Sequence, residues 1–458
     1  MPTARLEPES APARRGRAAL ASALVACAAC SDTKDLSLDV TVGYETDAFA
    51  RDPAVARVDI GVTDPEGDVA LAASAAPGGT FDLGDVPSDH LLSFTVAGFD
   101  GAGVARVGGR APGVVVGALD GDTLPLFVQR LGEWARPPGG LGRPHVGGVA
   151  TVLGERLLLL TGGDAGAAAP GAAEYYDLLT LTTTSATLPR APKSLVLAEG
   201  GSVALLVDDG GATWIDFSAG STSEAPLPAG LATFADVAGG RVVEGPAGVR
   251  YVVGGTRPAA ASDAVLIVAG DGSLTTARIH APRAGAAACW LDQVGLVVAA
   301  GSDVAVGLEV LPSGAVTTSQ RPFPPDPTVG AALVARGVGH QLLLLGGTGG
   351  ATSATRSLDA DCTSACAATD LGASPPGPMS DTQAFALGGD RLFVVGAGPD
   401  GATSSYTLDL ASAEVVEVAL REPRRGASVT TTPLGSLALV GGEHLDGTPA
   451  LTVELMRP

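Results

Sequence analysis

The sequence predicts an all-β protein in which a ring of seven short antiparallel sheets follows a small β-sandwich. Three observations predict it. An apolar strand, a turn, a second strand of bulky aliphatics and a pair of small residues, first met as VGGVATVLGERLLLLTGG over 146–163, recur to the C-terminus with a period of roughly 46 residues. Two further strand-like runs complete each period, the first often carrying an aromatic and an Asp, as in EYYDL (174–178), TWIDF (213–217) and SYTLDL (405–410). The segment ahead of the first copy alternates apolar and polar residues at period two between Gly, Pro and Asp punctuation.

The chain has 458 residues, enough for two or three domains with full cores. Hydrophobic residues make up 46% of it and arrive in short runs, which argues against disorder. A formal net charge of -21 repels nucleic-acid phosphates and anionic membrane surfaces, so nucleic-acid binding is set aside. At the N-terminus, Arg14, Arg15 and Arg17 precede a short apolar run, Ala18 to Ala26, of signal-peptide length and too short to span a bilayer. The run closes on LVAC, Leu24 to Cys27, which resembles the lipobox of bacterial lipoprotein signals. That resemblance implies cleavage before Cys27 and lipidation of its thiol, with Cys30 as second choice and an ordinary cleaved signal as the third possibility. Residues 1–30 are thus read as a signal peptide. The mature protein is expected on the cell envelope, at the outer membrane or cell surface, touching the membrane through the lipid alone.

From 31 to 122 the expected domain is an immunoglobulin-like or prealbumin-like sandwich. Its strands read LSLDVTVGY (36–44), ARVDIGVTD (56–64), DVALAAS (68–74), GTFDLGDVP (79–87), LLSFTVAGFD (91–100) and GVVVGAL (113–119). The ring occupies 123–458. Its second-strand cores are LLLLTGG (157–163), ALLVDDG (204–210), RYVVGG (250–255), GLVVAAG (295–301), LLLLGG (342–347), RLFVVGAG (391–398) and SLALVGG (436–442). Four strands per period is the geometry of a β-propeller blade. The seventh copy runs out one strand short, at Pro458. The stretch LPLFVQRLGEWARPP (124–138) ends as a fourth strand does, so part of it is expected to complete the last blade, with Trp134 as a packing anchor.

With its small-residue doublets the sequence resembles the kelch family, whose hallmark is a glycine pair ending the second strand. Four copies keep the pair: Gly162 and Gly163, Gly254 and Gly255, Gly346 and Gly347, Gly441 and Gly442. Three depart, at Asp208 and Asp209, at Ala300 and Gly301, and at Ala397 and Gly398, and the later Trp of the pattern is mostly missing, which makes this a divergent copy. A glycine pair lets the backbone take positive φ and pack closely where the blade narrows, a structural role.

Candidate chemistry is thin. Galactose oxidase is similar in architecture only: its copper site needs Tyr, His and Cys converging on one metal. Here His90, His145, His280, His340 and His444 fall at different points of the repeat, and no residue transfers. The pairs Asp120 and Asp122, Asp208 and Asp209, and Asp359 and Asp361 read as turn residues, since none sits in a full calcium loop. Cys362 and Cys366 bracket CTSAC in the fifth blade and are expected to form a local disulfide; Cys289 reads as a buried apolar residue. Arg143, Arg190, Arg283 and Arg424 sit near Pro between blades and are expected to donate hydrogen bonds from one blade to the next. No catalytic, cofactor or metal residues are assigned. The expected function is non-catalytic binding or scaffolding of an envelope protein or glycan through a propeller face. The alternative is a carbohydrate-active propeller enzyme of the oxidase or hydrolase class.

Overall fold

A computed structural model describes residues 33–64, 69–77, 80–163, 171–198, 200–255, 261–304, 306–337, 339–350 and 354–458. Cys27, Cys30 and the rest of the signal segment lie outside these residues. The N-terminal unit comprises β1 (Thr33–Thr41), β2 (Val55–Thr63), β3 (Val69–Ala75), β4 (Thr80–Pro87), β5 (Leu91–Asp100), β6 (Ala105–Arg110), β7 (Val114–Val115) and β8 (Thr123–Arg130). The period-two pattern sends Leu36, Leu38 and Val40 of β1, Val58, Ile60 and Val62 of β2, Leu92, Phe94 and Val96 of β5, and Leu124, Leu126 and Val128 of β8 into one core.

Two expectations need correction here. The strands do not form two stacked sheets: their pairing runs without a break in the order β3-β2-β5-β6-β8-β1-β4, with β7 beside β5. The cause is β8, which pairs antiparallel with β6 and parallel with β1 and so welds the two halves into one curled half-barrel. For the same reason the boundary at 122/123 falls in the wrong place. Thr123–Arg130 is a central strand of the first unit, and the ring begins only with β9 (Trp134–Ala135).

The ring has seven four-stranded antiparallel blades. Blade 1 is built from 149–153, 157–161, 172–177 and 182–187; blade 2 from 194–197, 203–208, 211–216 and 221–224; blade 3 from 241–244, 250–253, 262–268 and 274–283; and blade 4 from 287–291, 295–299, 308–311 and 319–321. Blade 5 takes 329–335, 341–348, 356–359 and 369–370, and blade 6 takes 380–388, 391–397, 403–409 and 414–417. Blade 7 takes 428–431, 437–440 and 454–456, and its fourth strand is β9, with Leu455 paired to Ala135 and Met456 to Trp134. First strands line the axis and touch their neighbours in turn; Ser428 Oγ donates to Gly148 O at 2.6 Å where the ends of the ring meet.

Burial explains why the second strands read as unbroken aliphatic runs. Each lies between two neighbouring blades, so both of its faces need apolar cover. In blade 1, Leu158 and Leu160 pack toward blade 7 while Leu159 packs toward blade 2. In blade 2, Ala204 and Leu206 face blade 1 while Leu205 and Val207 face blade 3. The same division separates Leu342 and Leu344 from Leu343 and Leu345 in blade 5. The ring therefore has a separate core between each pair of adjacent blades rather than one centre. Trp134 fills the core between blades 6 and 7, fully buried, with its ring centroid 5.9 Å from that of Phe393 and its Nε1 donating to Ser405 Oγ at 2.9 Å. Charged groups join the two units: Arg136 bonds Glu45 and Glu422, each at 2.9 Å, while Glu133 accepts from Arg51 at 2.8 Å and from Arg421 at 2.6 Å.

Candidate functional site

The segment leading into a blade carries a basic side chain that latches onto that blade. In blade 4, Arg283 Nη2 donates to Glu309 Oε1 at 2.8 Å and Nη1 donates to Ala300 O at 2.8 Å, with both charged side chains fully buried. In blade 7, Arg424 bonds Glu454 at 2.8 Å and Gly441 O at 3.3 Å. In blade 1, His145 lies 3.3 Å from Glu174 and its Nδ1 is 3.1 Å from Gly162 O. The three cases share one geometry. The first residue of the doublet stands at positive φ, +77° at Gly162, +60° at Ala300 and +68° at Gly441, and turns its carbonyl to the latch. A Cβ on the second, Gly163, would lie 2.6 Å from Gly148 N and Val146 O. Blade 2 varies the theme, Arg190 bonding Asp208 at the doublet and Thr213 on the third strand. Blade 5 reverses it, with Asp326 in the loop and Arg356 on the strand. Arg190, Arg283 and Arg424 thus tie the end of one blade to the next.

Electrostatics agree with a structural role. Burial alone would raise the Glu174 carboxyl, but the His145 contact and the Gly142 and Arg143 amides outweigh it and hold the group below the usual range. Burial dominates at the second pair, pushing the Glu454 carboxyl up and the Arg424 guanidinium down despite their mutual attraction. A His and a Glu held together at 1% and 2% exposure could pass for a catalytic dyad. The matching Arg–Glu pairs of blades 4 and 7 show that the position is a latch.

The opening along the axis has a volume of about 770 Å³. First-strand residues such as Val149 to Val152, Gln383 and Val429 to Thr432 line it, with Gly239, Gly240, Gly285 and Gly330 at the end where the doublets lie. Its charged groups are Lys193, Arg241, Glu244, Arg250 and Asp381. Lys193 is paired with Asp209 at 2.6 Å and Arg250 with Glu244 at 2.7 Å. Arg241 reaches across the axis from blade 3, its Nη2 donating to Ala331 O at 3.2 Å and Thr382 O at 3.1 Å. Burial pulls its guanidinium below the ordinary value, opposed by Asp381 and Cys289. Burial likewise pushes the Cys289 thiol up to about 12, against Arg241.

The residues singled out from the sequence are scattered. None of the five histidines lines the channel: His340 contacts Asp361 at 2.7 Å, His280 and His90 are exposed, and His444 lies 3.9 Å from Glu422. Cys362 and Cys366 form a disulfide, Cα–Cα 5.8 Å, in the loop between the third and fourth strands of blade 5. Asp208 and Asp209 accept from Arg190 and Lys193, Asp359 caps the Asp361 amide, and Asp122 lies 4.0 Å from Lys34. Among the described residues no group of three His, Cys, Asp or Glu side chains could hold a metal ion.

Sequence reasoning missed Arg241 and Asp381. Their signal was present, because Arg241, Glu244 and Asp381 are the only charged residues in the seven first strands. These observations define the chain as a seven-bladed β-propeller behind a curled β-sheet unit, a fold suited to binding or scaffolding. No family model and no curated protein matches the chain. Among solved structures it is similar to a chain of one described as "Crystal Structure of Mitotic Checkpoint Complex", with 11% identity over 72% of this chain and 92% of that chain and a TM-score of 0.46.

Proposed function

We propose that this is an exported, lipid-anchored envelope protein, kelch-like in its blades, that binds a ligand without catalysis at the axial channel. The observation that carries the binding role is the channel itself, whose wall of small, aliphatic and hydroxyl side chains carries two charges, Arg241 and Asp381, that form no ion pair among the described residues. Export draws support from LVAC, Leu24 to Cys27, and from the Cys362–Cys366 disulfide, a bond of oxidising compartments. Among the described residues no helix is long and apolar enough to cross a membrane, and the proposed anchor is the lipid on Cys27. Intact-mass and N-terminal peptide spectrometry of the protein from its native envelope tests the address: a diacyl-modified Cys27 is expected, and an unmodified start at Ala28 or Ser31 overturns it. Affinity capture from envelope extracts tests for a macromolecular partner, either protein or glycan.

A further inference from the structure

We propose that the channel binds a small zwitterion, a free amino acid or short peptide, with its carboxylate on Arg241 and its ammonium on Asp381. This rests on the channel being a binding site and adds the ligand class. Once the pairs Lys193–Asp209 and Arg250–Glu244 are set aside, Arg241 and Asp381 are the charges left on the wall. They stand on the first strands of blades 3 and 6, on different arcs of the ring. The Asp381 field acts on Arg241, yet the two form no ion pair.

Each has unmet bonding capacity. Arg241 spends Nη2 on two carbonyls, while its Nε and Nη1 hydrogens meet no protein acceptor among the described residues. The exposed Asp381 carboxylate accepts from no donor there and stands on backbone at φ +49°, a conformation that Asp and Asn adopt more readily than other side-chain-bearing residues. Neither charge belongs to a latch: Asp381 is exposed to the channel, and Arg241, half-buried, bridges from blade 3 to carbonyls of blades 5 and 6 with its remaining donors free among the described residues. A simple anion would be drawn by Arg241 and repelled by Asp381, and a simple cation the reverse. A zwitterion satisfies both at once. Gln383 lies two residues along the strand from Asp381, Thr430 and Thr431 line the channel further along the axis, and a volume of about 770 Å³ leaves room for the body of such a ligand.

Calorimetric titration of the full purified chain with glycine, diglycine and 4-aminobutanoate, against acetate and methylammonium as half-ligands, tests this. At least one zwitterion is expected to bind at least tenfold tighter than either half-ligand, and Asp381→Asn and Arg241→Met are each expected to weaken it at least tenfold. Asn tolerates the left-handed backbone at 381, so Asp381→Asn reads the site even if Arg241→Met fails to fold. Acetate binding as tightly as every zwitterion, with Asp381→Asn without effect, overturns the proposal; so does the absence of saturable heat from all five probes. An envelope partner recovered by a chain that binds no zwitterion leaves the binding function standing and removes only this ligand class.

Discussion

Replacing Arg283 by Met probes the latch where it is most completely enclosed. Arg283 and Glu309 are both fully buried, and the Arg donates to Glu309, Ala300 O and Val306 O at once. Met keeps much of the apolar stem but removes the charge. Glu309 is then left as a buried carboxylate supported only by the His280 amide and the Thr318 hydroxyl, both at 2.5 Å. Removing one partner of a buried pair costs about 3–5 kcal/mol, and two carbonyls lose a donor as well, so a loss of about 4 kcal/mol is expected. That is close to three powers of ten in the unfolding equilibrium. Denaturant unfolding followed by hydrogen exchange at the blade 4 amides reads both its size and its location. Arg283→Met with Glu309→Gln removes both charges and keeps an acceptor for His280 and Thr318, so most of the loss should be recovered. A single-variant cost under about 1 kcal/mol, or a double variant as unstable as the single, would refute the claim that charge burial governs this site.

Ala300 stands at φ +60° where four other blades have glycine, so Ala300→Gly should stabilise the protein by about 1 kcal/mol, read as a raised unfolding midpoint. Trp134→Ala should cost about 4 kcal/mol and expose the amides of 454–456 to exchange before those of blades 2 to 5, because the ring is clasped there. The Glu174 carboxyl is held below its unfolded value of 4.5, so its contribution is complete above that pH and is lost as pH falls through the folded value. Glu174→Gln should therefore show a flatter decline of stability between about pH 5 and pH 3 than the parent chain.

Some of the architecture was legible residue by residue. The aliphatic runs at a period of roughly 46 residues mark second strands because a strand covered on both faces cannot alternate. The missing fourth strand of the last copy pointed to the stretch around Trp134 because an uncovered sheet edge is unfavourable. Other features depended on partners remote in sequence. Period-two alternation at Thr123–Arg130 says that one face is buried but not which strands lie beside it, and only the pairing of β8 with both β1 and β6 made a single half-barrel of the first unit.

What the sequence determined by itself was local: strand identity, blade period, the glycine doublets and the close spacing of Cys362 and Cys366, each set by neighbouring residues along the chain. What the tertiary structure decided was which charges meet. Arg283 finds Glu309, and Arg424 finds Glu454, only because a blade's third strand folds back over the loop that leads into it. Arg241 and Asp381, 140 residues apart, come to one channel only because the ring closes. Electrostatic contact depends on distance in space, and in a closed ring that distance is set by the number and pitch of the blades rather than by any motif around either residue.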